Sequence, residues 1–163
     1  MNSRRLFLAC ACALALMGTG ARAQGATGGA PQATDIEADQ MEVIDAQKKA
    51  IFRGNVNARR GDITLKSQEL VVLYADVKQP DGTSKTDATE IDAKGNVIIT
   101  TPKEQITGDT ATIDVQKNIL VVLGNVKLVQ GSTILTGPEL RADLKNNKME
   151  MKGGRVKGSF LPK

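Results

Sequence analysis

The chain has no histidine and no tryptophan, and its two cysteines, Cys10 and Cys12, both fall in the first 23 residues. Past that point there is no thiol to form a disulfide, attack a substrate or bind a soft metal, and no imidazole for general acid–base chemistry. Serines and threonines are present, but they lack a base to activate them. Aromatic residues make up only 2% of the chain; Phe52, Tyr74 and Phe160 are the only ones beyond the first 23 residues. That is too few to stack nucleobases or sugars. These absences argue against an enzyme and against a nucleic-acid binder.

The N-terminus reads as a secretory signal. Arg4 and Arg5 supply a positive start, and Leu6 to Met17 is an apolar run of 12 residues. Such a run is too short to span a bilayer as a helix. Ala21-Arg22-Ala23 follows as a small-x-small cleavage site, so residues 1–23 are expected to be removed. A lipoprotein cut before Cys12 is the rival reading and would leave a very short apolar core. Losing Arg4, Arg5 and Arg22, with no acid, takes the formal charge from +4 to about +1. The sequence pI of 9.1 is therefore mostly a property of the signal. Residues 24–34 (QGATGGAPQAT) are small and polar and read as a flexible lead-in to a domain over 35–163.

What remains is repetitive. Gly54-Asn55-Val56 returns as Gly95-Asn96-Val97 and Gly124-Asn125-Val126, with a degenerate copy at Gly153-Gly154-Arg155-Val156. The spacings are 41, 29 and 29 residues, so one unit of 29 carries 12 extra residues once. Ile36, Leu65, Ile106 and Leu135 align with the same spacings, in the order 29, 41 and 29. Repetition of this kind marks an architecture assembled from one recurring supersecondary unit.

Within each unit the hydrophobic period is two. Met41 and Val43 flank Glu42; Val126 and Leu128 flank Lys127; Met149 and Met151 alternate with Lys148, Glu150 and Lys152. That is the pattern of strands with one buried face. Leu70 to Tyr74 and Ile119 to Leu123 are apolar on both faces, as expected of strands covered on both sides. Three kinds of break punctuate the strands: Gly-Asn, an Asn/Lys-rich break such as Gln116-Lys117-Asn118, and a Gly-centred break such as Arg60-Gly61-Asp62. Read as tight turns, they leave about a dozen or more strands of roughly 5 to 8 residues. The 12-residue insertion, near Asp76 to Ala88, holds Pro80-Asp81-Gly82 and reads as an extended surface hairpin or loop. The expected fold is all-β and antiparallel.

Superposed repeats place Ile36, Leu65, Ile106 and Leu135 in one row, and Met41, Leu70, Ala111 and Leu140 in a second. Val43, Val72 and Ile113 form a third; Phe52, Ala93, Val122 and Met151 form a fourth. An aliphatic interior like this suits either a dry packed core or a trough for acyl chains, and the parity of the rows does not separate the two. Asp35, Glu37 and Asp39 share a strand face, as a hard-cation site would need, but lack the dense Asp/Asn/Gly pattern of calcium loops; a solvated face is the simpler reading, as it is for Asp109 and Asp114. Strands near Ile36 to Val43 and near Val156 to Leu161 are the expected open edges, suited to pairing with another sheet.

Taken in order, Ala38-Asp39-Gln40-Met41-Glu42-Val43, Phe52-Arg53-Gly54-Asn55-Val56, Ile106-Thr107-Gly108-Asp109-Thr110-Ala111-Thr112-Ile113-Asp114 and Leu123-Gly124-Asn125-Val126-Lys127-Leu128 resemble the OstA-like family of lipopolysaccharide-transport proteins. The resemblance covers roughly Asp35 to Val156. It implies an open β-jelly-roll whose V-shaped interior holds lipid A acyl chains; from the residues themselves, no enzyme activity, metal or cofactor is expected. It also implies edge-to-edge joining with an LptC-like periplasmic domain, an LptD-like N-terminal domain, and further copies head to tail. The inner-face lipid set would be Ile36, Met41, Val43, Phe52, Leu65, Leu70, Val72, Ile106, Ile113, Leu120, Val122, Val126, Leu128, Leu140, Met149 and Met151. The insertion and the short C-terminal tail depart from the pattern.

The expectation is a periplasmic lipopolysaccharide carrier and bridge. Its rivals are an LptC-like domain that keeps its N-terminal helix as an anchor, a secreted β-solenoid or adhesin module with a packed core, and a β-helical carbohydrate-active enzyme. The cleavage site disfavours the first; length and scarce aromatics disfavour the last.

Overall fold

The computed structural model describes residues 34–78 and 80–160. The signal and most of the lead-in segment lie outside them. The described chain forms ten strands: β1 (Asp35–Glu37), β2 (Gln40–Ile44), β3 (Lys49–Arg60), β4 (Ile63–Lys78), β5 (Ser84–Thr100), β6 (Gln105–Asp114), β7 (Ile119–Gln130), β8 (Thr133–Asp143), β9 (Lys148–Lys152) and β10 (Lys157–Phe160). A single 3-10 turn, Asp45–Gln47, is the only helical element among the described residues. All ten strands belong to one antiparallel sheet. Six long strands, β3 to β8, pair in chain order. Each outer edge is a broken strand: β2 and β1 share the flank of β3, and β9 and β10 share the flank of β8.

The all-β antiparallel class holds, but the strands are fewer and longer than turn chemistry suggested. The Gly-Asn pairs are not hairpin turns. They sit inside β3, β5 and β7, which run 12, 17 and 12 residues. Both residues of each pair have positive φ: +79° and +46° at Gly54-Asn55, +80° and +49° at Gly95-Asn96, +78° and +48° at Gly124-Asn125. Positive φ at two consecutive residues makes a primed turn when the chain reverses; here the ladder resumes beyond the pair, so the same chemistry makes a bulge. Between Arg53 and Val56, two residues of β3 stand against one, Gln68, of β4. The pattern recurs against Asp109 and against Pro138. Pro138 is tolerated within β8 because a bulge position needs no ladder N–H.

These bulges line up across the sheet and crease it into two layers. The residue after each Asn turns into the crease: Val56, Val97 and Val126 are all buried. Gly is required at the crease for a second reason besides φ. A Cβ at Gly54 would land on the Asp39 carboxylate, and one at Gly124 on the Asp109 carboxylate. Those two carboxylates accept hydrogen bonds from Asn55 Nδ2 (2.9 Å) and Asn125 Nδ2 (3.0 Å), locking neighbouring strands across the bulge.

The other two kinds of break are the hairpin turns. Lys48, Asn118 and Asn147 each take a left-handed conformation at the end of the Asn/Lys-rich break. Asp114 and Asp143 accept backbone N–H bonds within two of these turns. Gly61 and Gly131, with φ of +57° and +56°, turn β3 into β4 and β7 into β8. The repeat of 29 residues is thus two adjacent strands. In the long repeat, β4 and β5 run on past the sheet as a ribbon whose register extends to Lys78↔Ser84. At the ribbon's base, Tyr74 donates its N–H to the Lys48 carbonyl (2.9 Å) and its hydroxyl to Asp45 Oδ1 (3.0 Å).

Candidate functional site

Partners in an antiparallel ladder share a face, so the register traces each inward row across the whole sheet. One row runs Met41, Phe52, Leu70, Ala93, Ala111, Val122, Leu140, Met151. The sequence repeat separates these into two rows; pairing merges them into one. A second runs Val43, Ala50, Val72, Ile91, Ile113, Leu120, Ala142, Met149. Beyond the crease, a third runs Ile36, Ala58, Leu65, Ile99, Ile106, Leu128, Leu135, Gly158.

The rows do not all do the same thing. Next to the crease the layers meet and pack. Phe52, Val56, Leu70, Val97, Val122, Val126 and Leu140 form a continuous buried seam there, and Val122 is 0% exposed. Toward the open side the layers part around a cavity of about 260 Å³. Ile36, Leu65, Leu70, Val72, Ile106, Ile113, Leu120 and Met149 of the candidate set line it. Phe52, Val122, Val126, Leu128 and Leu140 lie in the core cluster without lining the cavity, and Met151 packs against that cluster. Met41 and Val43 share the inward face but stand at the β2 edge, 64% and 49% exposed.

The cavity has lining residues that sequence reasoning missed. Ile91 and Ile99 of β5 and Ala142 of β8 complete its wall, and Ile63, Val115 and Leu144 carry the apolar surface toward the mouth. Val56 and Val97 in the seam were also missed, although the Gly-Asn-Val repeat makes both equivalent to Val126. Ile91 and Ile99 carried a signal too: both are apolar and of the same parity in one segment.

The mouth is polar. Thr34, Arg59, Arg60, Thr101, Glu104 and Asn118 rim it. Glu104 sits in the β5–β6 turn, which Thr101 ties together: the Thr101 N–H donates to the Glu104 carbonyl (2.9 Å), and the Glu104 N–H donates to Thr101 Oγ1 (3.1 Å). Burial at this rim pushes the Glu104 carboxyl above its ordinary value, with Lys103 opposing. No three acidic residues come together to hold a metal among the described residues. Glu37 and Asp39 instead accept hydrogen bonds from Asn57 and Asn55 of β3. The site has the means to exclude water and hold apolar chains against a polar rim.

Residues 35–148 match the family model described as LptA/(LptD N-terminal domain) LPS transport protein, well over half of the chain. The chain belongs to this family. An uncharacterized protein of Rhizobium meliloti (strain 1021) is 28% identical over 147 residues, spanning 88% of this chain and 79% of that protein. Among solved structures, the LptA-like fold is matched by LptH of Pseudomonas aeruginosa, described as the LptA homologous periplasmic component of a lipopolysaccharide transport device. The TM-score is 0.69 at 16% identity, over 80% of this chain and 96% of LptH. The creased open sheet is thus the fold of an LptA-like protein.

Proposed function

We propose that this LptA-like chain is a periplasmic carrier that shields the acyl chains of lipopolysaccharide between its two sheet layers and passes the lipid along a bridge of like-folded domains. The observation that carries this reading is the cavity: an almost wholly aliphatic wall, closed at the crease and open at a polar rim. Each methylene taken out of water is worth about 0.8 kcal/mol, so even partial enclosure of a multi-acylated lipid binds firmly. The cavity of about 260 Å³ is not sealed but opens at the rim. A lipid with several chains would seat part of its acyl length there and the rest along the open side of the groove. The expected lipid contacts are the cavity-lining members of the candidate set, together with Ile91 and Ile99.

The edges support the bridge. Met41, Val43 and Met149 are inward-row residues exposed by 64%, 49% and 39% because their rows stop at β2 and β9. A sheet continued across either edge would cover them and satisfy the free strand flanks. The partners we assign are an LptC-like periplasmic domain, an LptD-like N-terminal domain and further copies of this chain. Residues 1–23 would direct export and be cut after Ala23. Nothing in this role needs catalysis, and the energy for transfer comes from outside the chain.

Photo-crosslinking tests the site directly. A crosslinker at Ile113 or Val72 is expected to capture lipopolysaccharide in cells that make it, while one at Glu42 or Lys127, on the outer face, is not. Equal capture at both sets would end the groove reading.

A further inference from the structure

The two edges carry opposite charge. β1, β2 and the link between them, Asp35 to Ile44, hold Asp35, Glu37, Asp39 and Glu42 and no basic residue. β9, β10 and their link, Lys148 to Phe160, hold Lys148, Lys152, Arg155 and Lys157 against one acid, Glu150. All nine of these side chains are exposed.

The register says where those charges would meet. Eight strands separate one flank from the other along each layer, each antiparallel to the next. β9 therefore runs opposite to β2, so a second copy stacked by simple translation presents its β2 antiparallel to β9, and its β1 antiparallel to β10. Every inward row passes one residue per strand. Continued across the junction, Met151 meets Met41 of the second copy, Met149 meets Val43, and Gly158 meets Ile36. Outer rows continue likewise. The row Glu37, Asn57, Lys66, Ile98, Thr107, Lys127, Thr136, Lys157 sets Lys157 opposite Glu37 of the next copy. Another ends on Lys152, one step diagonal to Glu42 of the next copy; the like-charged Glu150 opposes Glu42 but is flanked by Lys148 and Lys152.

We propose that this charge polarity orders the chain's self-association: the basic β9–β10 edge accepts only an acidic β1–β2 edge of a second copy, in the register that pairs Lys157 with Glu37. The proposal rests on the edge pairing assigned above. Main-chain bonds in a sheet junction carry no direction of their own between two exposed edges, and head-to-head or tail-to-tail pairing would be nearly as good. Charge supplies the discrimination, since it penalises like edges and attracts unlike ones.

The test is sedimentation of the protein and its variants at low and high salt. Wild type is expected to associate with concentration, and less at about 0.5 M salt, where the screening length is shorter, than at about 0.05 M. Lys157→Glu and Glu37→Lys are each expected to weaken self-association by roughly tenfold. Mixed together they should co-assemble in alternation, since both kinds of junction are then oppositely charged, and the double variant should regain self-association. Circular dichroism should show every variant folded, because both side chains are exposed. Proline placed in turn at Gly158 and Ser159 separates this proposal from the one beneath it, since neighbouring N–H groups point to opposite flanks and one of the two faces the partner. If proline abolishes association while salt and charge reversal leave it unchanged, edge pairing stands and charge ordering is overturned. If proline, salt and charge reversal all leave it unchanged, edge pairing itself falls and takes the charge ordering with it.

Discussion

The seam beside the crease and the cavity on the open side are built from the same residues, Val, Leu, Ile and Ala, at the same period of two. One is packed solid and the other is hollow. The difference is distance from the bulge line. At the Gly-Asn bulges the two layers are joined through continuous strands, so side chains from both must interdigitate, as Val56, Val97 and Val126 do with Val122 and Leu140. A few residues further along, the layers have diverged and aliphatic side chains of ordinary size no longer reach across. Few aromatic residues are available to fill the gap. Hydrophobic composition alone does not distinguish core from binding surface; position relative to a bend does.

The comparison breaks most sharply at Val122. Val122→Asp places a carboxylate in the seam with no exposure, and the uncompensated charge should cost about 3–5 kcal/mol. Denaturant unfolding should show a collapse of the midpoint or no folded protein; an unchanged midpoint would mean the seam is not packed. Truncation then contrasts the two regions directly. Leu140→Ala in the seam should cost about 2–5 kcal/mol, whereas Ile113→Ala on the cavity wall should cost about 1 kcal/mol, because its side chain already borders open space. Equal losses at the two sites would erase the distinction between core and cavity. At the crease itself, Gly124→Ala forces a Cβ onto the Asp109 carboxylate at φ +78°, and about 1–3 kcal/mol of stability should be lost. Asp109→Ala in the same background should recover part of that loss, since it removes the obstructing carboxylate.

The smallest effect belongs to the turns that close the cavity side. The Lys117 side chain, then its backbone N–H, hold the Asp114 carboxyl below its ordinary value of 3.8. A depressed folded-state value means the stabilisation is present above 3.8 and is lost as pH falls through the lower value. Asp114→Asn should therefore flatten the acid limb of the melting-temperature profile slightly and leave neutral pH nearly untouched. A steeper acid limb in the variant would reverse the sign and refute the assignment.

Much of this was legible in the chain. Period-two patterning announced strands, the 29-residue repeat announced equivalent positions, and Asn/Lys-rich and Gly-centred breaks were turns as read. Cavity-lining Leu65, Val72, Ile106, Ile113 and Leu120 followed from parity within the repeat. The Gly-Asn pairs were misread because two residues at positive φ serve a reversal and a bulge equally well locally. Only whether pairing resumes beyond them separates the two, and that is a property of the neighbouring strand. Met41 and Val43 show the same limit from another side: their parity is inward, but being first in their rows leaves them bare.

By itself the sequence determined that this protein is an antiparallel all-β repeat with an aliphatic interior, and its motifs pointed to the OstA-like family, because side-chain alternation and repeat spacing are local properties written into the chain. The tertiary structure alone decided that the sheet creases at Gly-Asn, that the inner rows divide into a packed seam and an open groove, and that acidic and basic residues far apart in the chain face outward from opposite edges. Those outcomes depend on cross-strand register, which sums the geometry of every strand between, and no single segment contains it.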